Sequence, residues 1–597
     1  MSEYTAPIRD MQFVVQELAG LDQVARLPGC EEATADVVEA IFDEAGKFAN
    51  GVLSPLNRTG DLVGAQWQDG DVATVPGWKG AYKQFVDGGW NALSCDPEHG
   101  GQGLPRIVSA MVEEMWNSAN ISFALCPMLT RGAIEAIELR GSDAIKETYL
   151  PKMIVGEWTG TMNLTEPQAG SDLAAVRSKA IPQADGTYRI HGQKIFITYG
   201  EHDMTSNIVH LVLARTPDAP EGVKGISLFV VPKFLVKPDG TPGERNDVHC
   251  VSIEHKLGIH ASPTAVLAFG DKTGAVGYLV GEENRGLEYM FIMMNAARYA
   301  VGIEGVGLSE RAYQRALEYA KTRIQGTEAG VKGGGKAAII RHPDVRRMLM
   351  LMKSQTEAMR AVAGVVAAAM DTARCHPDAE AKKRSQAFVD LMIPIVKGWS
   401  TEKSIEITSL GVQIHGGMGF IEETGAAQHF RDSRITAIYE GTTGIQAADL
   451  IGRKIAREGG ETIKAVIATM REVLPQLDAA GGPAFAAIRN SFAQGVDALE
   501  QGVEFILRTY AADIRSASVG AVPFLELFGV VAGGWQMARA ALVAQRRIGE
   551  GKDNAFYRTK IVTSRFYADH VLSRAGSLAY AVVNGAAGAL EIADEAF

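Results

Sequence analysis

Cysteine is scarce and scattered: Cys30, Cys95, Cys126, Cys250 and Cys375 are five in number and never stand in CxxC spacing. An odd, dispersed set of thiols argues against a disulfide framework or a zinc site and fits a reducing cytosol. Net positive charge is lacking too. A formal charge of -11 at pH 7 argues against a broad nucleic-acid or anionic-membrane surface but leaves room for a local basic pocket for a phosphate-bearing ligand. Long uncharged apolar runs are also missing. The longest near the end, residues 575–590, holds three glycines and an asparagine and falls short of the roughly 18–20 residues that span a bilayer, so a buried helix is expected there. The N-terminus, MSEYTAPIRDMQF, has early acids and no apolar run, which predicts neither a secretory signal nor an Arg-rich transit peptide. A cytoplasmic protein without an integral membrane segment is the expectation.

What is present is length. A chain of 597 residues exceeds one core, and about 100–200 residues per domain gives three to five. From about 8 to 155 the pattern is helical, with apolar residues at three and four spacing through 37–48 and 108–116. The glycine cluster in CDPEHGGQGLP (95–105) reads as a helix-connecting loop. In TYLPKMIVGEW, Pro151 is expected to stop a helix and Gly156 to turn the chain. At 158 the period changes to short β-branched runs. Strands are expected near 159–165, 188–198, 207–215, 225–232, 248–256 and 263–269, with turns at Asp185-Gly186 and Pro238-Asp239-Gly240. Helices resume at Leu287 and again at Pro343. Between them, Gly330 to Lys336 satisfies GxxxxGK, but Ala337 stands where a phosphate-binding loop needs Ser or Thr, and no strand is expected before it. A flexible surface insertion is the preferred reading. An Ala-rich helical region runs from 458 to the end, with 13 basic and 15 acidic residues.

Chemistry concentrates at Glu440. The acid lies between an apolar run (Ile435, Ile438, Tyr439) and a Gly-Thr-Thr-Gly turn, after which Ile445, Ala448 and Ile451 open a helix. A carboxylate on such a loop, shielded from water, is expected to have its pKa raised toward neutrality and to serve as a general base; the rival reading is a first-turn helix acid.

The string IYEGTTGIQ, together with MNLTEPQAGSDL (162–173), KIFITYG (194–200) and QIHGGMGF (413–420), resembles the signatures of the acyl-CoA dehydrogenase family in their usual order. The likeness covers about 90–455, and the longer C-terminus resembles that of long bacterial members. The resemblance implies a mainly α fold with an inserted small β-domain: an N-terminal helical domain (1–157), a middle β-barrel (158–280), a four-helix bundle (281–457) and an additional C-terminal helical domain (458–597). It implies an FAD-dependent oxidoreductase that converts an acyl-CoA to the trans-2-enoyl-CoA, with Glu440 taking the α-proton. 3-Methylmercaptopropionyl-CoA or a short to medium fatty acyl-CoA is the expected substrate, as in β-oxidation.

Met162, Leu164, Thr165, Ser171, Phe196 and Thr198 are implied as flavin contacts, Phe196 standing where the family commonly has Trp. Arg323, Gln325, Gln413, Gly416, Gly417, Thr442, Thr443 and Gly444 are implied for the adenosine and pyrophosphate, in part across a subunit boundary. Ser171, Arg298, Tyr439 and Gly441 are implied at the substrate, His415 as a structural residue, and no metal. Electron-transferring flavoprotein and a second copy of the chain, in at least a dimer, are the implied partners. The alternatives are an acyl-CoA oxidase and a DNA-associated flavoprotein of the same fold; the latter needs a basic C-terminal face, which 13 against 15 charges does not supply.

Overall fold

The computed structural model describes residues 4–552 and 554–597. It divides into two compact units, one of Met1–Gly46, Pro105–Ser118 and Val301–Phe597, the other of Lys47–Leu104 and Ala119–Ala300.

The second unit is built on an eight-stranded sheet. Its order is Val248–Ile253, Thr264–Phe269, Tyr188–Thr198, Ala275–Leu279, Ser227–Pro232, Asn207–Ala214, Trp158–Asn163, with Lys179–Pro182 paired to Tyr188–Thr198. Among the described residues the strand pairs are antiparallel except Trp158–Asn163 with Asn207–Ala214, and Lys179 adds a single parallel bridge to Arg215. Alternate residues feed two cores: Val212, Phe229 and Val231 enter one with Ile190, Leu267 and Phe269, while Leu211, Leu213, Leu228 and Val230 enter the other with Ile134, Leu150, Met153 and Met293 of the helices. All six expected strands are present; Asn207–Ala214, Ser227–Pro232 and Thr264–Phe269 are buried on both faces and so carry near-continuous apolar runs, whereas Tyr188–Thr198 and Val248–Ile253 are only partly buried. Those missed are short or interrupted: Lys179–Pro182 ends in proline, Ala275–Leu279 contains Gly277, and Phe234–Val236 pairs with Pro242–Arg245 around the expected 238–240 turn. A small hairpin, Gln66–Gln68 with Asp71–Ala73, also interrupts the region read as helical.

Three other expectations are corrected. Pro151 does not stop its helix, which runs Asp143–Ile154; a proline so near the end forfeits one backbone bond and leaves the last turn intact. The segment around the GxxxxGK string is not a bare insertion. Ile324–Thr327 and Lys336–Ala338 form an exposed hairpin, so a strand does precede the glycines; but Lys336 opens a strand where a phosphate-binding loop would open a helix. Residues 575–590 are two helices, Ala575–Asn584 and Ala586–Leu590, with only Ala575, Ala579 and Val582 buried, because Gly585 divides the run.

In the first unit, Pro343–Cys375 is followed by Ala379–Pro394, a π-turn at Ile395–Trp399, and Ser400–His415. Helix Gly286–Thr322 supplies its Val301 onward. Helix Ala521–Gly549 has the length and hydropathy of a membrane span, but 83% of its apolar window is buried. Trp399 explains the fit: a Cβ on Gly529 would stand 2.2 Å from the indole, and one on Gly533 2.9 Å away.

A buried charge network ties this unit together. The Arg360 guanidinium donates to Glu114 (Nε to Oε1, 2.9 Å), to Glu310 (2.6 Å) and to Asp10 (2.5 Å). Lys560, from the C-terminal region, pairs with Asp10 and, at 3.0 Å, with Glu357, which also accepts from Thr563 at 3.0 Å.

Candidate active site

Glu440 sits outside any helix, which removes the reading as a first-turn helix acid. A 3-10 turn, Arg434–Ala437, delivers Ile438 and Tyr439, whose amides both donate to the Ile435 carbonyl. The chain then turns through two left-handed residues, Glu440 (φ 55°) and Gly441 (φ 93°). A non-glycine residue pays roughly 1 kcal/mol or more for that conformation, so the surroundings must hold it. Lys397 Nζ, fully buried on the π-turn, donates to the Gly441 carbonyl at 2.7 Å, and Gln446 Nε2 donates to the Glu440 carbonyl at 3.3 Å. Thr442 caps helix Thr443–Asp449 by accepting from the Ile445 amide, and the Thr443 hydroxyl donates to Glu402 at 2.5 Å. Gly441 is required twice over, by its φ and because a Cβ would lie 2.7 Å from Gln446 Nε2.

Beside this turn lies an acid that sequence reasoning missed. Glu304, 1% exposed, accepts a hydrogen bond from the Tyr439 hydroxyl. Burial pushes its carboxyl up to about 8, against the pull of Tyr439 and Lys397, and the Glu440 charge adds to the rise. Burial, then Glu304, likewise drives the Tyr439 phenol well above its ordinary range.

In the other unit, two expected motifs are stitched together. MNLTEPQAG leaves strand Trp158–Asn163 and turns tightly at Glu166–Ala169, where the two residues exchange amide-carbonyl bonds of 3.0 and 2.9 Å. The Ile195 amide donates to the Thr165 carbonyl at 2.9 Å. Beneath, the buried Lys194 donates to the Leu164 carbonyl at 3.1 Å and pairs with Glu166 at 2.8 Å. Glu166 also accepts from the Ser178 hydroxyl (2.6 Å) and the Arg177 amide (2.8 Å). Burial raises the Glu166 carboxyl, but Lys194, Ser178 and Arg177 outweigh it and hold it at about 2. A carboxyl depressed below its ordinary 4.5 stabilises the fold above that pH and loses the contribution as pH falls toward 2, so this loop is expected to loosen in that window. Burial lowers Lys194 to about 8 against the pull of Glu166. Lys194→Met would strand the buried carboxylate and is expected to cost about 3 kcal/mol, read as a lowered midpoint in thermal melts.

The strand itself is bulged. Lys194 pairs with Leu267 and Ile197 with Ala265, so Ile195 and Phe196 face the single residue Val266. Phe196 takes φ 60° and Tyr199 φ 51°. The bulge re-aims the side chains: Lys194 is buried, whereas Phe196 is 58% exposed. Tyr199 anchors the strand end, donating to the Ser122 carbonyl at 2.6 Å and accepting from Trp78 Nε1 at 3.2 Å.

The remaining expected residues divide plainly. Met162, Thr165 and Thr198 are half-buried, Leu164 is buried and Ser171 exposed. Arg298 is buried on helix Gly286–Thr322. Arg323, Gln325, Gln413, Gly416, Gly417 and Gly444 are exposed, outside the braced part of the Glu440 turn. His415 Nδ1 donates to the Gly411 carbonyl (2.7 Å), and the ring stacks on Tyr319 with centroids 4.3 Å apart. The signal for Lys194 was in the sequence as a charge inside a strand pattern, and Glu166 stood within the MNLTEPQAGSDL string; Glu304 and Lys397 stand far from Glu440 in the chain and gave none.

The β-unit features fit a flavin: an exposed aromatic face at a bulge, a half-buried threonine two residues on, and a loop of fixed backbone groups at Leu164 and Thr165. Gly416 and Gly417, with open space where a Cβ would stand, fit close approach of a pyrophosphate.

Comparison with known proteins agrees. Family models match in order: acyl-CoA dehydrogenase N-terminal domain at 36–157, middle domain at 161–271, C-terminal domain at 284–456, and acetyl-CoA dehydrogenase C-terminal like at 460–593. The chain is 51% identical to 3-methylmercaptopropionyl-CoA dehydrogenase of Ruegeria pomeroyi over 95% of its length and 96% of that protein. It is 33% identical to a broad-specificity linear acyl-CoA dehydrogenase of Mycobacterium tuberculosis over 96% of each. Among solved structures, Caenorhabditis elegans ACDH-11 in complex with C11-CoA aligns with a TM-score of 0.74 at 18% identity, covering 98% of this chain and 96% of that one. An acyl-CoA dehydrogenase complexed with FAD from Bacillus anthracis aligns at 0.73 and 23% identity, covering 98% and 93%. With its fold, its signatures and these relatives in agreement, the chain belongs to the acyl-CoA dehydrogenase family, FAD-dependent enzymes that dehydrogenate acyl-CoA thioesters.

Proposed function

We propose that this protein oxidises the α,β-bond of a short acyl-CoA, with 3-methylmercaptopropionyl-CoA preferred over straight chains and Glu440 as the base. The observation that carries the base is the left-handed turn whose carbonyls are pinned by Lys397 and Gln446. The identity to the Ruegeria pomeroyi enzyme supports the substrate.

Glu440 takes the α-proton, and its backbone N–H donates to the thioester carbonyl, favouring the charge that develops there. Because Lys397 and Gln446 fix the turn through backbone carbonyls, the carboxylate is aimed before substrate arrives. Bound FAD supplies the acceptor for the β-hydride. Met162, Leu164, Thr165, Ser171, Phe196 and Thr198 would hold its ring. Arg323, Gln325, Gln413, Gly416 and Gly417, with Thr442, Thr443 and Gly444, would serve its adenosine diphosphate part, some of them toward a neighbouring subunit, which makes the protein at least a dimer. By the family's pattern, Ser171, Arg298, Tyr439 and Gly441 would serve the substrate. The four-part division 1–157, 158–280, 281–457 and 458–597, a cytoplasmic place in β-oxidation, and electron-transferring flavoprotein as electron acceptor complete the reading.

The test is anaerobic titration of the purified yellow protein. Bleaching of the flavin band at the lowest concentration of 3-methylmercaptopropionyl-CoA, with butyryl-CoA weaker, is expected. Stronger bleaching by octanoyl-CoA would overturn the substrate assignment, and a protein that takes up no FAD would overturn the flavin. Gly441→Ala is expected to slow flavin reduction about 10²-fold by displacing the base, measured by stopped flow.

A further inference from the structure

We propose that Glu304 is a second active-site carboxyl, a positioning residue that acts through the Tyr439 phenol to hold the turn carrying Glu440 and to keep one proton between the two acids. The inference rests on the reading of Glu440 as base. Its footing is geometric. Glu304 comes from helix Gly286–Thr322, is almost wholly inaccessible, and grips Tyr439, the residue directly before the base, through Oε2. Its other oxygen, Oε1, is buried with no hydrogen-bond partner among the described residues. A buried carboxylate with an unpartnered oxygen is costly, whereas a carboxylic acid is far less so. Among the described residues, the charged and titratable neighbours that face it are Tyr439, Lys397 from the π-turn, and Glu440; burial outweighs the pull of Tyr439 and Lys397 and raises the carboxyl to about 8, which favours the protonated form at neutral pH.

Two carboxyls of unequal burial then share one proton. It resides on Glu304, the more deeply buried, and leaves Glu440 charged and ready to accept the substrate's α-proton. Tyr439 couples them physically: its hydroxyl is fixed by Glu304, and its main chain leads into the left-handed residue that bears the base. The arrangement also differs from a simple ion pair, because a neutral, isosteric amide at 304 retains an acceptor for Tyr439 and no charge at any pH.

The experiment measures the rate constant of anaerobic flavin reduction by acyl-CoA from pH 6 to 9.5 in the full-length holoenzyme, for wild type, Glu304→Leu, Glu304→Gln and Glu440→Gln, with flavin content and thermal midpoint recorded for each. Glu304→Leu, which removes the acceptor, is expected to lose about 10- to 100-fold in rate, and Glu304→Gln to recover most of that loss near pH 7. The wild-type profile is expected to show an ionisation near pH 8 that Glu304→Gln lacks, while the acid limb, set by Glu440, stays in place in both. A downward shift of that acid limb in Glu304→Gln would mean that Glu304 is ionised beside the base and would overturn the proposal. So would a pH 8 ionisation that survives the substitution, a wild-type profile without one, or a Leu variant as fast as wild type. Should the Leu variant lose flavin or unfold, the Gln profile alone decides. Glu440→Gln separates the two readings: if it still reduces flavin, the base is misassigned whatever Glu304 does; if it is inactive and the Glu304 variants match wild type in rate and profile, only the present proposal fails.

Discussion

Glu440→Gln is expected to slow reduction of the bound flavin by acyl-CoA about 10³-fold, within the range of a lost general base, while flavin content and thermal midpoint stay at wild-type values. The two expectations belong together. Lys397 and Gln446 hold the turn through the backbone carbonyls of Gly441 and Glu440, which the substitution keeps, and glutamine has the same shape at the same φ of 55°. The substitution therefore removes proton-accepting ability while keeping the size of the side chain and the bracing of the turn. Stopped-flow bleaching under anaerobic conditions reads the rate directly. Reduction at the wild-type rate would remove Glu440 from the mechanism; loss of flavin together with rate would show that the carboxylate is structural.

Arg360→Met is expected to give the largest loss of stability of any single substitution considered. Its guanidinium serves carboxylates of Glu114, Glu310 and Asp10, brought from three segments of the first unit, and both Arg360 and Glu114 are essentially inaccessible. Removing the cation leaves buried negative charge uncompensated, at a cost of about 3–5 kcal/mol, which for a large chain corresponds to a fall of about 10 °C in melting temperature. Burial already pushes the Glu114 carboxyl upward against the pull of Arg360, so without the arginine it takes a proton. Adding Glu114→Gln to Arg360→Met is accordingly expected to recover part of the loss. Differential scanning calorimetry on the single and double variants checks this; a single variant within 2 °C of wild type would mean that water or relaxation screens the stranded carboxylates.

Much of the site was legible in the chain because its chemistry is local. The strings around Glu440, Phe196 and Thr165 place a candidate base, an aromatic face and a fixed loop within a few residues each, and the period-2 pattern of 188–198 announces the strand that carries Phe196. The insertion at 324–338 and the tract at 575–590 were misread for the opposite reason: glycine-rich and alanine-rich sequences satisfy several local patterns equally, and contacts choose among them. The missed strand Ala275–Leu279 belongs to the same class, since Gly277 weakens the period that its neighbours Tyr188–Thr198 and Ser227–Pro232 impose by pairing.

By itself the sequence determined the order of helical and β regions and the family, and it pointed to Glu440 as the candidate base, because periodicity and short motifs are properties of neighbours along the chain. Only the tertiary structure decided that Phe196 stands out of its strand while Lys194 turns in, that Glu440 occupies a left-handed turn braced from a π-turn 44 residues away, and that Glu304 accepts from Tyr439 directly before Glu440. Each of these depends on which distant segment supplies a hydrogen bond or excludes water, and a carboxyl's proton, like a strand's bulge, answers to that environment and not to its neighbours in sequence.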